Sequence, residues 1–210
     1  MRQHRGLCSI FPSAVRSRPL DVCGWSGLDG AGVPGHAEPV RPAGERDQAQ
    51  SPAVFPAVAG RTLLGANVAL PGDFPADRTL AVVAFQRGQQ SRVDRWIERA
   101  VGAGVPQTTR GATGSIPVAV LEVPVLSTQW RPVRRLIDGG MTAGIGDPDV
   151  LSRTITVYTD VGAFQRSLAI PDSNEVHALV VDRNGTIVAR GCGDPDDTSW
   201  AAIAAGLPID

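Results

Sequence analysis

The chain has 210 residues with 20 basic and 21 acidic side chains, a net charge of −1, 42% hydrophobic residues and 5% aromatic ones. Such a length holds one sizeable core plus a tail, and the balanced, interspersed charge lacks the basic footprint that a phosphate backbone demands, so nucleic acid is not expected as a partner. Three cysteines (Cys8, Cys23, Cys192) and three histidines (His4, His36, His177) stand far apart, with neither the pairing of a disulfide framework nor the spacing of a zinc site; no metal and no cofactor are expected.

Residues 1–60 are rich in Arg, Pro, Gly and Ala and show no sustained period. A segment of this kind buries too little apolar surface to offset the entropy of ordering it, and it is expected to be disordered or to be an extension from a start codon placed too far upstream. Its first twenty residues carry arginines and no acid until Asp21, as a mitochondrial presequence would, but Pro12 and Pro19 spoil a long amphipathic helix. No apolar window reaches the length of a membrane span. The expectation is a soluble cytoplasmic protein, with a mitochondrial location as the alternative. Every basic residue is arginine, which fits a GC-rich coding sequence and a bacterial source.

Order is expected from about Thr62, within a domain spanning 61–210. "TLLG" and "NVALP" read as two short strands around Gly65, and Thr79 to Phe85 as a strand buried on both faces. An amphipathic helix follows, with Ser91 as its cap, Asp94 completing a capping box, and Val93, Trp96, Ile97, Ala100 and Val101 on its apolar side. A second strand covers Ile116 to Leu126, with an interruption at Pro124. Pro132 opens a short helix that buries Val133, Leu136 and Ile137 and stops at Gly139-Gly140. Thr154 to Asp160 is a third strand, and Asp160 caps a helical turn with Val161, Phe164 and Leu168.

"VHALVVDRNGTIVARG" is a hairpin signal, because Asn184-Gly185 tolerates the positive φ of a tight turn. A last helix opens near Asp197 or Thr198 and packs Trp200, Ile203 and Leu207. Strand, helix, strand, helix, strand, helix, hairpin, helix predicts an α/β domain with a central mixed sheet and flanking helices.

From Thr62 to Leu207 this pattern resembles the thioredoxin-like superfamily, through the order of elements and the hairpin "DRNGTI" with its closing helix. In redox members of that superfamily a CxxC pair sits just past the first central strand, and here the corresponding positions are Gln90 and Val93 of "QSRV". Thiol–disulfide exchange needs a thiolate to attack and a second sulfur to resolve the mixed disulfide, which neither side chain supplies. The proline that redox members hold in cis before the hairpin is missing as well, since "SNEV" stands there and Pro171 comes earlier. Within the superfamily the chain is similar to the assembly-factor family of the ATP synthase, on "AFQR" and "QSRVDRW", "VYTDVGAFQRSLAI" and "LVVDRNGTIVARGCG". That resemblance implies a non-catalytic chaperone role and a protein or peptide partner.

The expected partner-binding residues lie at the C-terminal end of the first central strand, where open α/β sheets place ligands: Phe85, Gln86, Arg87, Gln89 and Gln90, with Trp130 and Arg131 sharing the rim. The alternative is a single-cysteine thiol- or peroxide-reactive enzyme using Cys192, activated by Arg190 or Arg87. "IGDPD" and "CGDPDD" read as turns and helix caps, and His177 as a packed residue of its strand.

Overall fold

The computed structural model describes residues 53–171 and 173–209. Among these residues seven strands form one mixed sheet, in the spatial order second, first, fifth, fourth, third, sixth, seventh. The strands are β1 (Val58–Thr62), β2 (Asn67–Leu70), β3 (Arg78–Ala84), β4 (Val118–Ser127), β5 (Ile155–Thr159), β6 (His177–Asp182) and β7 (Ile187–Cys192). β3, β4 and β5 run parallel, β6 pairs antiparallel with β3, and β1 pairs antiparallel with β5. The helices are α1 (Gln90–Gly102), α2 (Arg134–Ile145), α3 (Pro148–Arg153), α4 (Val161–Ser167) and α5 (Asp197–Ala204). Parallel strands joined through α1, then a helix, then an antiparallel hairpin beside the first central strand make this an α/β domain of thioredoxin-like architecture.

The sheet is covered on both sides, so β3 and β4 are apolar almost throughout. On one face Phe55, Phe74, Leu121, Val123, Phe164 and Leu168 pack together under α4. On the other, Leu80, Val82, Trp96, Ile97, Val180 and Ile203 pack under α1 and α5. Trp96 is fully buried and its Nε1 donates to the carbonyl of Gly193 at 2.9 Å. Gly191 is required beside it, because a Cβ there would stand 2.7 Å from the indole. A buried aromatic of this kind is worth about 3–5 kcal/mol relative to alanine.

Several expected boundaries move. Ordered structure starts before Thr62: Val54 bridges to Thr186, Phe55 is core, and β1 begins at Val58, so the strand expected at "TLLG" lies earlier and Leu63-Leu64 belong to the turn. Residues 1–52, and the expectation of disorder there, lie outside the described residues. Val101 is exposed, because the apolar side of α1 closes at Ala100. β4 runs through Pro124, which stands opposite Ala84 at the last β3 pairing; on the β5 side a bridge from Glu122 to Thr154 precedes the proline and the ladder resumes at Val125, so the expected interruption falls on that side.

α2 departs most. It passes through Gly139-Gly140 and ends at Gly146, whose φ of 67° suits a left-handed cap. Of the three expected anchors only Ile137 is buried, while Val133 and Leu136 are exposed. The hairpin turn is as the sequence indicates: Gly185 has φ 83°, and Asp182 Oδ1 accepts from the amides of Asn184 (2.9 Å) and Thr186 (2.8 Å). Asp160, Asp147 and Asp196 cap α4, α3 and α5.

Candidate functional site

The chain leaves β3 at Ala84 and makes a short 3-10 turn, Arg87–Gln89, before α1 starts at Gln90. Ser91 does not cap α1; it is already inside the helix. Two glutamines organise this start. Gln89 Oε1 accepts from the amides of Phe85 (2.8 Å) and Gln86 (3.1 Å), satisfying donors that the turn leaves open. The Nε2 groups of Gln89 and Gln86 donate to the Ser173 carbonyl at 2.8 and 3.1 Å. Gln89 is only 3% exposed, so it is an internal brace and not the rim contact expected of it. Arg92 pairs with Glu175 at 2.7 Å and fastens the segment ahead of β6 to α1.

Gln90 takes the first position of α1 and Val93 is buried one turn on. The Gln90 Nε2 donates to Asp94 Oδ1 at 2.9 Å and makes a longer contact, 3.5 Å, with Glu122 Oε2. Glu122 lies in the middle of β4 and is 5% exposed, and its Oε1 accepts from Arg153 Nε at 3.3 Å. Arg153 is buried too, and its Nη1 donates to the Gln107 carbonyl at 3.2 Å. Burial pushes the Glu122 carboxyl above the ordinary range, against the opposing pull of Arg153.

Beside this pair is a cavity of about 120 Å³ between the ends of β3 and β4, the start of α1 and the inner side of α2. Phe85, Gln86, Arg87 and Gln90 line it, so the structure gathers four of the expected rim residues at one opening. Trp130 and Arg131 lie further along. Trp130 packs against Leu126, Ile137 and Tyr158, and Arg131 Nη2 donates to the Tyr158 carbonyl at 3.1 Å; neither lines the cavity. Tyr158 donates to Asp138 at 2.9 Å, and burial, with this bond, raises the phenol's affinity for its proton.

Cys192 ends β7, in register with His177. Gly191 faces Trp96, so alternation puts Cys192 and Arg190 on the α4 side, where Arg190 Nη1 donates to the Leu168 carbonyl at 2.7 Å. Cys192 and Gln90 therefore share one end of the sheet and lie on opposite faces of it. The acids of "CGDPDD" are engaged structurally: Asp194 pairs with Arg92 and Arg95, Asp197 with Arg99, and Asp196 caps α5. Among the described residues no group of three or more His, Cys, Asp or Glu is placed to hold a metal ion. Glu122 and Arg153 were missing from the expected site, although an acid inside the apolar run "VAVLEVPVL" is a signal of it.

No protein-family model matches the chain, and no curated protein matches it. Solved structures with a related fold include BsSco, a member of the Sco family of cytochrome c oxidase assembly proteins, at 8% identity over 74% of this chain and 95% of that one, with a TM-score of 0.47. The exposed lipoprotein thioredoxin Etrx1 of Streptococcus pneumoniae is 12% identical over 72% and 100%, with a TM-score of 0.47. A putative thiol:disulfide interchange protein DsbE of Chlorobium tepidum is 13% identical over 74% and 96%, with a TM-score of 0.43. At these values no activity of any of them transfers to this chain.

Proposed function

We propose that the chain is a redox-inactive thioredoxin-like module that binds a protein or peptide partner at the C-terminal rim of its sheet, in the manner of an assembly factor or chaperone. The observation that carries this reading is the chemistry at positions 90 and 93: an amide tied to two carboxylates and a buried isopropyl group stand beside an open apolar cavity, where exchange would need two sulfurs. Phe85, Arg87 and Gln90 at the opening and Trp130 on the adjoining cluster are the aromatic, arginine and amide groups suited to a partner's backbone and apolar side chains.

Affinity capture from the native cell with the intact chain and with Arg87→Ala, Gln90→Ala and Trp130→Ala variants, run beside an insulin-reduction assay, tests it. The expected result is a partner lost by the variants and no reduction of insulin. Partners unchanged by all three substitutions, or turnover of a dithiol substrate, would overturn the reading.

A second reading keeps Cys192 as a reactive thiol, supported by its register pairing with His177. A low thiol pKa is its requirement, and an ordinary alkylation rate with no peroxide consumption would remove it.

A further inference from the structure

The rim cavity combines two kinds of wall. Val82, Ala84, Leu126, Ile137, Met141 and Ile145 make it apolar, and Glu122 places a buried carboxylate among them. Glu122 and Gln90 line the space whereas Arg153 does not, so the carboxylate edge away from the guanidinium is the one presented to it. Among the described residues that edge holds only the 3.5 Å contact from Gln90, and a carboxylate accepts about four hydrogen bonds, which leaves room for another donor.

Charge selects further. With Glu122 ionised against Arg153 the pair carries no net charge, so a cation entering would arrive desolvated and uncompensated, and an anion would face the carboxylate. Size sets the rest: an apolar protein cavity of about 150 Å³ holds a benzene ring, so this one suits a single ring or short branched chain. α2 can adjust around it, with Ile137 as its one buried anchor and three glycines along its length.

We propose that this cavity binds a compact, uncharged, apolar group ending in one hydroxyl, a phenol or short alcohol, whose O–H donates to Glu122 while its hydrocarbon lies between the sheet and α2. The proposal deepens the partner-binding reading by naming the chemistry of the group that enters. A partner's tyrosine side chain and a free phenol present the same chemistry.

Calorimetric titration of the full chain with phenol, toluene and benzylamine tests it. Phenol is expected to bind about tenfold or more tighter than either of the others, the difference one hydrogen bond to a charged group makes. Ala84→Leu, which fills the space without touching the ion pair, should abolish phenol binding while the circular dichroism stays that of the folded chain. A Glu122→Leu/Arg153→Met double variant, in which both charges leave together, should bind toluene and phenol alike. Equal binding of phenol and toluene by the unmodified chain, or phenol binding that survives a folded Ala84→Leu variant, would overturn the inference.

Competition by a short tyrosine peptide assigns the group to a partner chain; phenol bound without such competition assigns it to a free molecule. Loss of the captured partner in the rim variants with no phenol preference leaves the rim reading and removes this one. Phenol preference with capture unchanged does the reverse.

Discussion

Gln89 folds its side chain back on its own turn and satisfies three polar groups at once, two backbone amides and a distant carbonyl. Only an amide side chain offers an acceptor and donors at that reach, which explains a buried glutamine where a composition argument sees a solvated one. At the other end of the domain Asp196 works by the same economy of groups, accepting from the Ser199 amide at 2.7 Å, and this bond holds its carboxyl below the ordinary value of 3.8. A carboxyl depressed in the folded state stabilises the fold above the unfolded pKa and loses that contribution as pH falls through the folded one. Asp196→Ala should lower the melting temperature at pH 7, and its gap to the unmodified chain should close as the pH is taken below 3.8. A gap of the same size under acid conditions would mean the carboxylate does not cap α5.

Among the elements, α1 and α2 differ in what they owe to packing. α1 buries Val93, Trp96, Ile97 and Ala100 and is tied to the β7–α5 segment through Arg95 and Arg99, the latter with its guanidinium 5.5 Å over the Trp200 ring. Its apolar spacing made it readable from the sequence. α2 buries one residue, and the same spacing rule applied to Val133, Leu136 and Ile137 assigned it a core face that it lacks. Periodicity reports which side of a helix is apolar, not whether another element comes down on it, and the two glycines taken as its end are absorbed inside it. At Gly139 an added Cβ meets nothing within 4 Å. Gly139→Ala should therefore stabilise the protein by about 0.5–1 kcal/mol through helix propensity, read by urea denaturation. A destabilised variant would show that α2 requires the glycine for close approach. The site was legible in the same uneven way: the β3–α1 corner follows from chain order, whereas the Glu122–Arg153 pair joins residues from separate elements that no local pattern brings together.

Across the whole molecule the strand order puts β3 and β4 at the centre with both faces covered, and leaves α2 as a loosely held wall over the cavity. Local stability should follow that layout. Native-state hydrogen exchange is expected to find the slowest amides in β3, β4 and β6 and to find α2 opening at a free energy well below theirs. Protection in α2 equal to that in α1 would contradict the packing described. The carboxylates around position 90 also bear on any attempt to re-arm this scaffold. A cysteine grafted there would stand at the first position of α1, whose N-terminus favours a thiolate, beside Asp94, whose charge opposes one, and Glu122, whose charge Arg153 offsets. The acidity of a sulfhydryl introduced at 90 would thus be set by the contest between the helix end and Asp94, and exchanging that aspartate for asparagine would tilt it toward the thiolate.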